Sequence, residues 1–294
     1  MRGYLITHAQ CLDGATAAVI GLAGGLQPIF VEPDGAQQAV AELAQRDPRP
    51  PIYLADVSIP LCAWKTSQPH ITALLDHHAS ALALAEEPKA IIVVGRAGSH
   101  LMYDYAAERK WIDPSPDWNR LVAMVEAYDL WAPQHEFGQN LDRLFRHLGF
   151  EWYSARFGQG WVPYRAEEGL VLAGLIEEEV AYVQRALTRV QTLTAPGVRA
   201  AGIFLEEEGS VNPVAHRLLS TGHNLVVVAK PDGRLSARSD EHVDAARLMA
   251  DLFGGGGHAR AAGGRFPPEV KAGPTGFGEV MDRIVAYLTA PGVG

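Results

Sequence analysis

Short apolar runs at residues 4–7, 29–31, 52–55, 71–75 and 91–94 punctuate the first third of the chain. Each is shorter than an ordinary helix and predicts a strand with its side chains buried. Between them, residues 14–22 and 36–45 place apolar side chains at helical spacing. Strands alternating with helices predict βαβ units and a largely parallel sheet. The Pro-rich segments 46–51 and 113–116 predict loops.

Further along, residues 121–130 carry a helical pattern that ends near Asp129. From 167 to 192, Leu170, Leu172, Leu175, Ile176, Val180, Val183, Leu187 and Val190 recur at helical spacing and predict one long amphipathic helix. Pro196-Gly197 ends that pattern and marks a domain boundary. After it the alternation restarts, with strands predicted at 198–205, 225–229 and 235–239 and helices at 213–220 and 243–252. The expected fold is α/β with two domains. A parallel-sheet domain covers 1–165, a helical connector 166–196, and a smaller α/β domain 197–294.

Composition narrows the functional classes. A 294-residue chain that is 48% hydrophobic can build two cores and is not a disordered polymer. A net charge of −9 gives no general footprint for long nucleic acid. It leaves a short or single-nucleotide substrate open, because a bound metal supplies positive charge locally. Two cysteines, Cys11 and Cys62, imply no disulfide framework. Residues 1–8 lack the apolar core and cleavage site of a signal peptide. No apolar run approaches the roughly 18 residues of a membrane span. A soluble cytoplasmic protein is expected.

The chemistry gathers where predicted strands end. Asp76-His77-His78 follows the fourth strand, Asp56 follows the third, and His8, Cys11 and Asp13 lie in the turn after the first. Asp129 sits in the apolar company of Tyr128, Leu130 and Trp131, where a lone charge needs a partner or an ion. Taken singly, each has an ordinary reading: an aspartate before glycine caps a turn, and one at a strand tip caps a loop. Together they point to a hydrolytic metal centre. Tyr128 and Trp131 are read as packing residues.

At the other end stands Gly254-Gly255-Gly256-Gly257-His258, followed by Ala261-Ala262-Gly263. Four glycines are costly to order, so the run implies that backbone approaches something closely. No Lys-Ser/Thr follows, which excludes a P-loop.

The motifs in this order resemble the DHH phosphoesterase superfamily, and the glycine-His element is similar to the signature of its DHHA1 substrate-binding domain. The resemblance spans nearly the whole chain. It implies two divalent ions, most simply manganese, with magnesium, cobalt, iron or zinc as alternatives. His8 and Asp56 would hold one ion, and Asp13, Asp56, His77 and Asp129 the other. His78 would face the substrate phosphate, and Asp76 would orient the ligands around it. Arg238 resembles the family's substrate-contacting arginine, joined by Gly255, Gly256, Gly257 and His258. Ser99, His100 and Arg260 are secondary candidates.

The first motif departs from many relatives in carrying Cys11 where they have aspartate. As a thiolate ligand, Cys11 would admit softer metals; as a bystander, it would leave one metal position weakened.

The expected activity is metal-dependent hydrolysis of phosphodiester or phosphomonoester bonds in short oligonucleotides, dinucleotides or nucleotides, by attack of a metal-activated hydroxide. Two alternatives stand beside it. One is a small-molecule phosphatase, pyrophosphatase or exopolyphosphatase-like enzyme. The other is a catalytically weak nucleotide-binding regulatory protein. Oligomeric state stays open.

Overall fold

Five parallel strands form the first sheet: β1 (Gly3–His8), β2 (Leu26–Val31), β3 (Ile52–Ala55), β4 (Ala73–Asp76) and β5 (Ala90–Ile92). They lie in the order β2-β1-β3-β4-β5. Side chains alternate across the pleat. Leu5, Tyr53, Ala55, Ala73 and Leu75 face one core, while Ile6, Ile52, Leu54 and Leu74 face another. Because both faces are covered, the strands read in the sequence as continuous apolar runs rather than as alternation. The computed structural model describes residues 2–130, 132, 136–206 and 209–290.

Helices α1 (Leu12–Ala23), α4 (Gly98–Glu108), α5 (Pro116–Asp129) and α6 (Glu136–Phe157) pack on the first face. Helices α2 (Ala36–Ala44) and α3 (Leu61–Ser67) contribute to the second. The strand order reverses direction between β1, which leads outward to β2, and β3, which leads the other way to β4 and β5. In open α/β sheets such a switch leaves a crevice beyond the carboxyl ends of the two strands, and ligands bind there.

The chain divides into two units, residues 1–172 and 173–294, and helix α7 (Ala166–Leu187) carries it from one to the other. The helix stops at Leu187 rather than continuing to 192. Gln191–Ala195 is instead strand β6, paired antiparallel with β7 (Val198–Phe204). Pro196-Gly197 is thus the tight turn of a hairpin, with Gly197 at φ 73. Val190, the one apolar position of the helical pattern beyond 187, lies just before this strand.

In the second unit a six-stranded sheet has the order β10-β11-β9-β8-β7-β6. It is completed by β8 (Leu225–Ala229), β9 (Arg234–Ser239), β10 (Gly256–His258) and β11 (Ala261–Arg265). Only β7 and β8 run parallel; the other pairs are antiparallel. Helices α9 (Ala245–Phe253) and α10 (Pro274–Thr289) cover one face. The other is covered by α8 (Val211–Leu219) and the last turns of α7. No described helix is long and apolar enough to cross a membrane.

Candidate metal centre

Four stretches of chain meet at the β1/β3 switch. The first runs from His8 to Asp13. Helix α1 opens at Leu12, two residues before the expected start, so Asp13 sits in its first turn rather than in the preceding loop. Its carboxylate accepts hydrogen bonds from the backbone N–H groups of Gly98 at 2.7 Å and Ser99 at 2.9 Å. A negative charge thus lies at the positive ends of both α1 and α4, a favourable placement.

Asp56, immediately after β3, adopts a left-handed backbone with φ 60. Aspartate is one of the few non-glycine residues that tolerate this region. Its N–H donates to the Leu75 carbonyl on β4 at 3.1 Å. Its carboxylate reaches in two directions. Oδ1 lies 3.1 Å from His77 Nε2, while Oδ2 accepts the Cys11 thiol at 3.4 Å and stands 3.8 Å from His8 Nδ1.

His77 is fully buried, and its Nε2 also lies 3.7 Å from Asp129 Oδ2 and 3.8 Å from Asp13 Oδ2. Two donor triads result, His8 with Cys11 and Asp56, and Asp13 with His77 and Asp129. Within each, the ligand atoms lie no more than 4.8 Å apart.

Electrostatics explains what this arrangement suits. Burial, followed by repulsion from Asp13, pushes the Asp56 carboxyl well above the usual carboxylate range. The same two causes push Asp129 up to about 8. Burial and then the Asp56 charge raise the Cys11 thiol, which keeps its proton and donates it to Asp56. Asp129 Oδ2 is buried with no hydrogen-bond partner among the described residues. Among those residues, Asp13, Asp56 and Asp129 form ion pairs only with histidines. Buried carboxylates that repel one another, with no lysine or arginine to balance them, fit a site for cations. Oxygen and imidazole donors in both triads suit Mn²⁺ or Mg²⁺, and one thiol admits softer ions in the first.

Asp76 and His78 form a different device. Asp76 is buried; its Oδ1 accepts the His77 backbone N–H at 2.8 Å and lies 2.8 Å from His78 Nδ1. Burial alone would raise the Asp76 carboxyl, but the hydrogen bond and charge of His78 outweigh it and the group is lowered. Burial would likewise keep His78 neutral, yet the bond to Asp76 and its charge raise the imidazole. His78 lines a pocket of about 430 Å³ together with His8 and Asp56.

Two residues predicted to touch substrate take other roles here. The Ser99 side chain is 0% exposed, so it meets the site through its backbone N–H on Asp13 rather than through an accessible hydroxyl. His100 Nδ1 lies 2.7 Å from Glu126 Oε2, which also accepts the Ala97 N–H at 3.0 Å. Glu126 thereby ties α5, which carries Asp129 on its last turn, to the start of α4. Sequence reasoning missed Glu126, since a helical glutamate beside alanines carries no distinctive pattern. Tyr128 packs on the first core and donates its hydroxyl to Asp142 at 2.8 Å. Trp131 lies outside the described residues.

In the second unit, the register pairs His258 with Ala261 and Ala261 with Arg238. Directly opposed residues share a face of a sheet, so His258 and Arg238 flank the small Ala261 at about 10 Å, two strand spacings. The Arg238 guanidinium donates to the Ala237 carbonyl and to Asn212 Oδ1, both at 2.8 Å. The glycine run is explained largely by its own hairpin. A Cβ at Gly255 would lie 1.8 Å from the Gly263 carbonyl oxygen, and one at Gly257 2.5 Å from that of Ala261. The close backbone approach of Gly255 and Gly257 is therefore to strand β11, while Gly254, at φ 59, and Gly256 face open space. Arg260 stands 3.8 Å from Glu241 at the surface.

Comparison with known proteins bears on the family and the fold. A family model described as the DHHA1 domain matches residues 200–284, which run from β7 into α10. Oligoribonuclease NrnB of Bacillus subtilis (strain 168) is 26% identical over 216 residues, covering 67% of this chain and 53% of that protein. The chain thus spans about half the length of the curated relative it matches. A solved DHH domain, described as coming from a member of a family of ribosomal proteins, superposes with a TM-score of 0.68 at 14% identity. That match covers 98% of this chain and 88% of the other. An exopolyphosphatase-related protein from Bacteroides fragilis superposes with a TM-score of 0.52 at 12% identity, covering 98% and 93%. At such identities the two structures speak to the fold alone.

Proposed function

The chain belongs to the DHH/DHHA1 superfamily, and from that premise we propose that it is a divalent-metal-dependent phosphoesterase acting on short oligonucleotides or dinucleotides. The observation that carries this reading is the pair of donor triads at the β1/β3 switch, with His78 lining one pocket together with His8 and Asp56 of the first. His8, Cys11 and Asp56 would hold one ion, and Asp13, Asp56, His77 and Asp129 the second. Bound there, two divalent ions neutralise phosphate charge and lower the pKa of an attacking water.

The chain's own groups do the rest. Asp13 is fixed by the two N–H groups of α4, so a ligand carboxylate is held before any ion arrives. Asp56 links the two triads through its two oxygens. His78, held against Asp76 with its imidazole inclined to the protonated form, offers positive charge and a proton donor to a phosphate in the pocket. Asp76 is a positioning residue, since it is fully buried and acts through the histidines. We assign catalysis to residues 1–165 and a substrate-binding role to residues 197–294, through Arg238, His258 and Gly255–Gly257. The relative named an oligoribonuclease supports oligonucleotides over pyrophosphate or polyphosphate.

A substrate panel with Mn²⁺, Mg²⁺, Co²⁺ and chelator tests this. The dinucleotide pApA should be hydrolysed in a metal-dependent manner and preferred over p-nitrophenyl phosphate, pyrophosphate and tripolyphosphate. Preference for the inorganic substrates would assign a phosphatase or pyrophosphatase instead. Tight pApA binding without turnover under any metal would assign a binding protein.

Cys11 is expected to be a ligand of the first ion and to set its selectivity. Cys11→Asp should raise Mn²⁺ affinity about tenfold and weaken Co²⁺ and Zn²⁺ relative to Mn²⁺, as read by isothermal titration. Two unaltered Mn²⁺ sites in both Cys11→Ala and Cys11→Asp would remove the thiol from the ligand set.

A further inference from the structure

Beside the metal centre lies a second pocket, of about 520 Å³, that the proposed chemistry does not use. Its lip is Ala9-Gln10, the two residues between His8 and Cys11. Two residues of extended chain reach at most about 7 Å, so the pocket opens within a nucleotide's length of the first triad. Phe30, near the carboxyl end of β2, and Phe150 of α6 touch edge to face within its lining, their ring centroids 4.8 Å apart. Phe145 is also in the lining and is buried. Gly149, at φ 80 and ψ 177, breaks the helix just before Phe150. Arg146 completes the lining, with its Nε–H on Asp142 at 2.8 Å and half of its side chain exposed.

We infer that this pocket is a nucleobase subsite, in which Phe30, Phe150 and the Arg146 guanidinium stack a base of the substrate while its phosphate lies at the metal centre. The inference rests on the phosphoesterase reading and names what that site recognises. Phenyl faces with one guanidinium plane are what single-stranded bases stack on. The pocket's size falls within the range of small-ligand sites and its lining is mainly apolar, as theirs is. An acidic protein also needs local attraction for a polyanion, and Arg146 places a cation at this lip. Among the described residues, Gln10 and Arg146 alone bring polar side chains to the lining, too few to read one base, so the subsite stacks bases with little sequence preference.

The test compares pApA with its abasic counterpart in wild type, Phe150→Ala and Phe150→Trp. Quenching of 2-aminopurine ribonucleoside 5′-monophosphate, which requires no turnover, is measured alongside. Phe150→Ala should raise KM for pApA and the Kd of the fluorescent nucleotide about tenfold. It should leave kcat within twofold and the abasic substrate unaffected, and Phe150→Trp should restore both affinities. Equal losses on base-bearing and abasic substrates, or quenching indifferent to residue 150, would overturn the subsite while leaving hydrolysis standing. Phe150-dependent quenching in a wild type that hydrolyses neither substrate would uphold the subsite and reject the hydrolytic reading.

Discussion

Asp56→Asn is expected to lower metal-dependent hydrolysis of pApA on the order of a thousandfold while leaving the metal-free fold intact. The substitution keeps the side chain's shape and removes one charge. Asparagine, like aspartate, accepts the left-handed backbone at φ 60 found at this position, so the β3–α3 connection should not rearrange. What disappears is the one carboxylate that reaches both triads, with Oδ1 toward His77 and Oδ2 toward Cys11 and His8. Titration with Mn²⁺ should show weakened binding, and circular dichroism an unchanged spectrum. A variant with wild-type turnover would remove Asp56 from the centre of the mechanism.

The same charge has a stability signature with a definite sign. Asp56 and Asp129 hold their protons to higher pH in the folded chain than the usual carboxylate value of 3.8, Asp129 to about 8. Above 3.8 the folded state therefore binds more protons than the unfolded state, and stability falls as pH rises. The raised His78 works in the same direction, since its contribution is present below its ordinary value of 6.5 and lost as pH climbs through the folded one. His8, lowered chiefly by burial, opposes them, one group against three. In chelator, Tm should accordingly fall by several degrees between pH 5 and pH 8. Mn²⁺ should reverse the trend, and Asp56→Asn should flatten it. A metal-free Tm that rises over this interval would mean that the carboxylates do not repel one another as the geometry requires.

Much of this centre is legible in the sequence because polar groups at strand ends carry a strong local pattern. An apolar run followed by Asp, or by Asp-His-His, locates both the strand and the sheet edge, and so His8, Asp13, Asp56 and His77 come together as expected, with Asp129 brought to them by the last turn of α5. What the pattern hides is carried by tertiary contact. Helices α3, α4, α6 and α10 escape notice; α4 mixes Tyr103 and Tyr105 with charge, and α6 is interrupted at Gly149. Glu126 and the backbone of Gly98 and Ser99 matter only because three helices converge on Asp13 and His100. The Phe30–Phe150 pocket joins residues 120 positions apart, a distance at which no periodicity speaks. The glycine run is only partly legible for a related reason, since the close approach of Gly255 and Gly257 is made to a neighbouring strand that sequence alone does not place beside it.

Gly98→Ala is the substitution that joins fold to function. A Cβ at residue 98 would lie 2.7 Å from Asp56 Cβ and 2.8 Å from its Cα and backbone nitrogen. Those atoms belong to a tight connection hydrogen-bonded across to β4, so they cannot swing aside as the end of a long side chain can. Helix α4 must instead back away, carrying off the N–H groups that Asp13 accepts at 2.7 and 2.9 Å. Overpacking of this kind costs about 1–3 kcal/mol, which corresponds to a Tm loss of several degrees in a unit of this size. Mn²⁺ affinity should fall at least about tenfold, because a ligand carboxylate loses both of its anchors. Two controls separate this cause from ordinary glycine effects. Gly174→Ala, in α7 with nothing within 4 Å of the added methyl, should raise stability by about 0.5–1 kcal/mol. Ser99→Ala removes a hydroxyl but keeps the backbone N–H, so metal binding should stay within about twofold of wild type if that N–H is what holds Asp13. Thermal unfolding and Mn²⁺ titration of the three variants give the answer, and wild-type metal affinity in Gly98→Ala would detach the start of α4 from the metal centre.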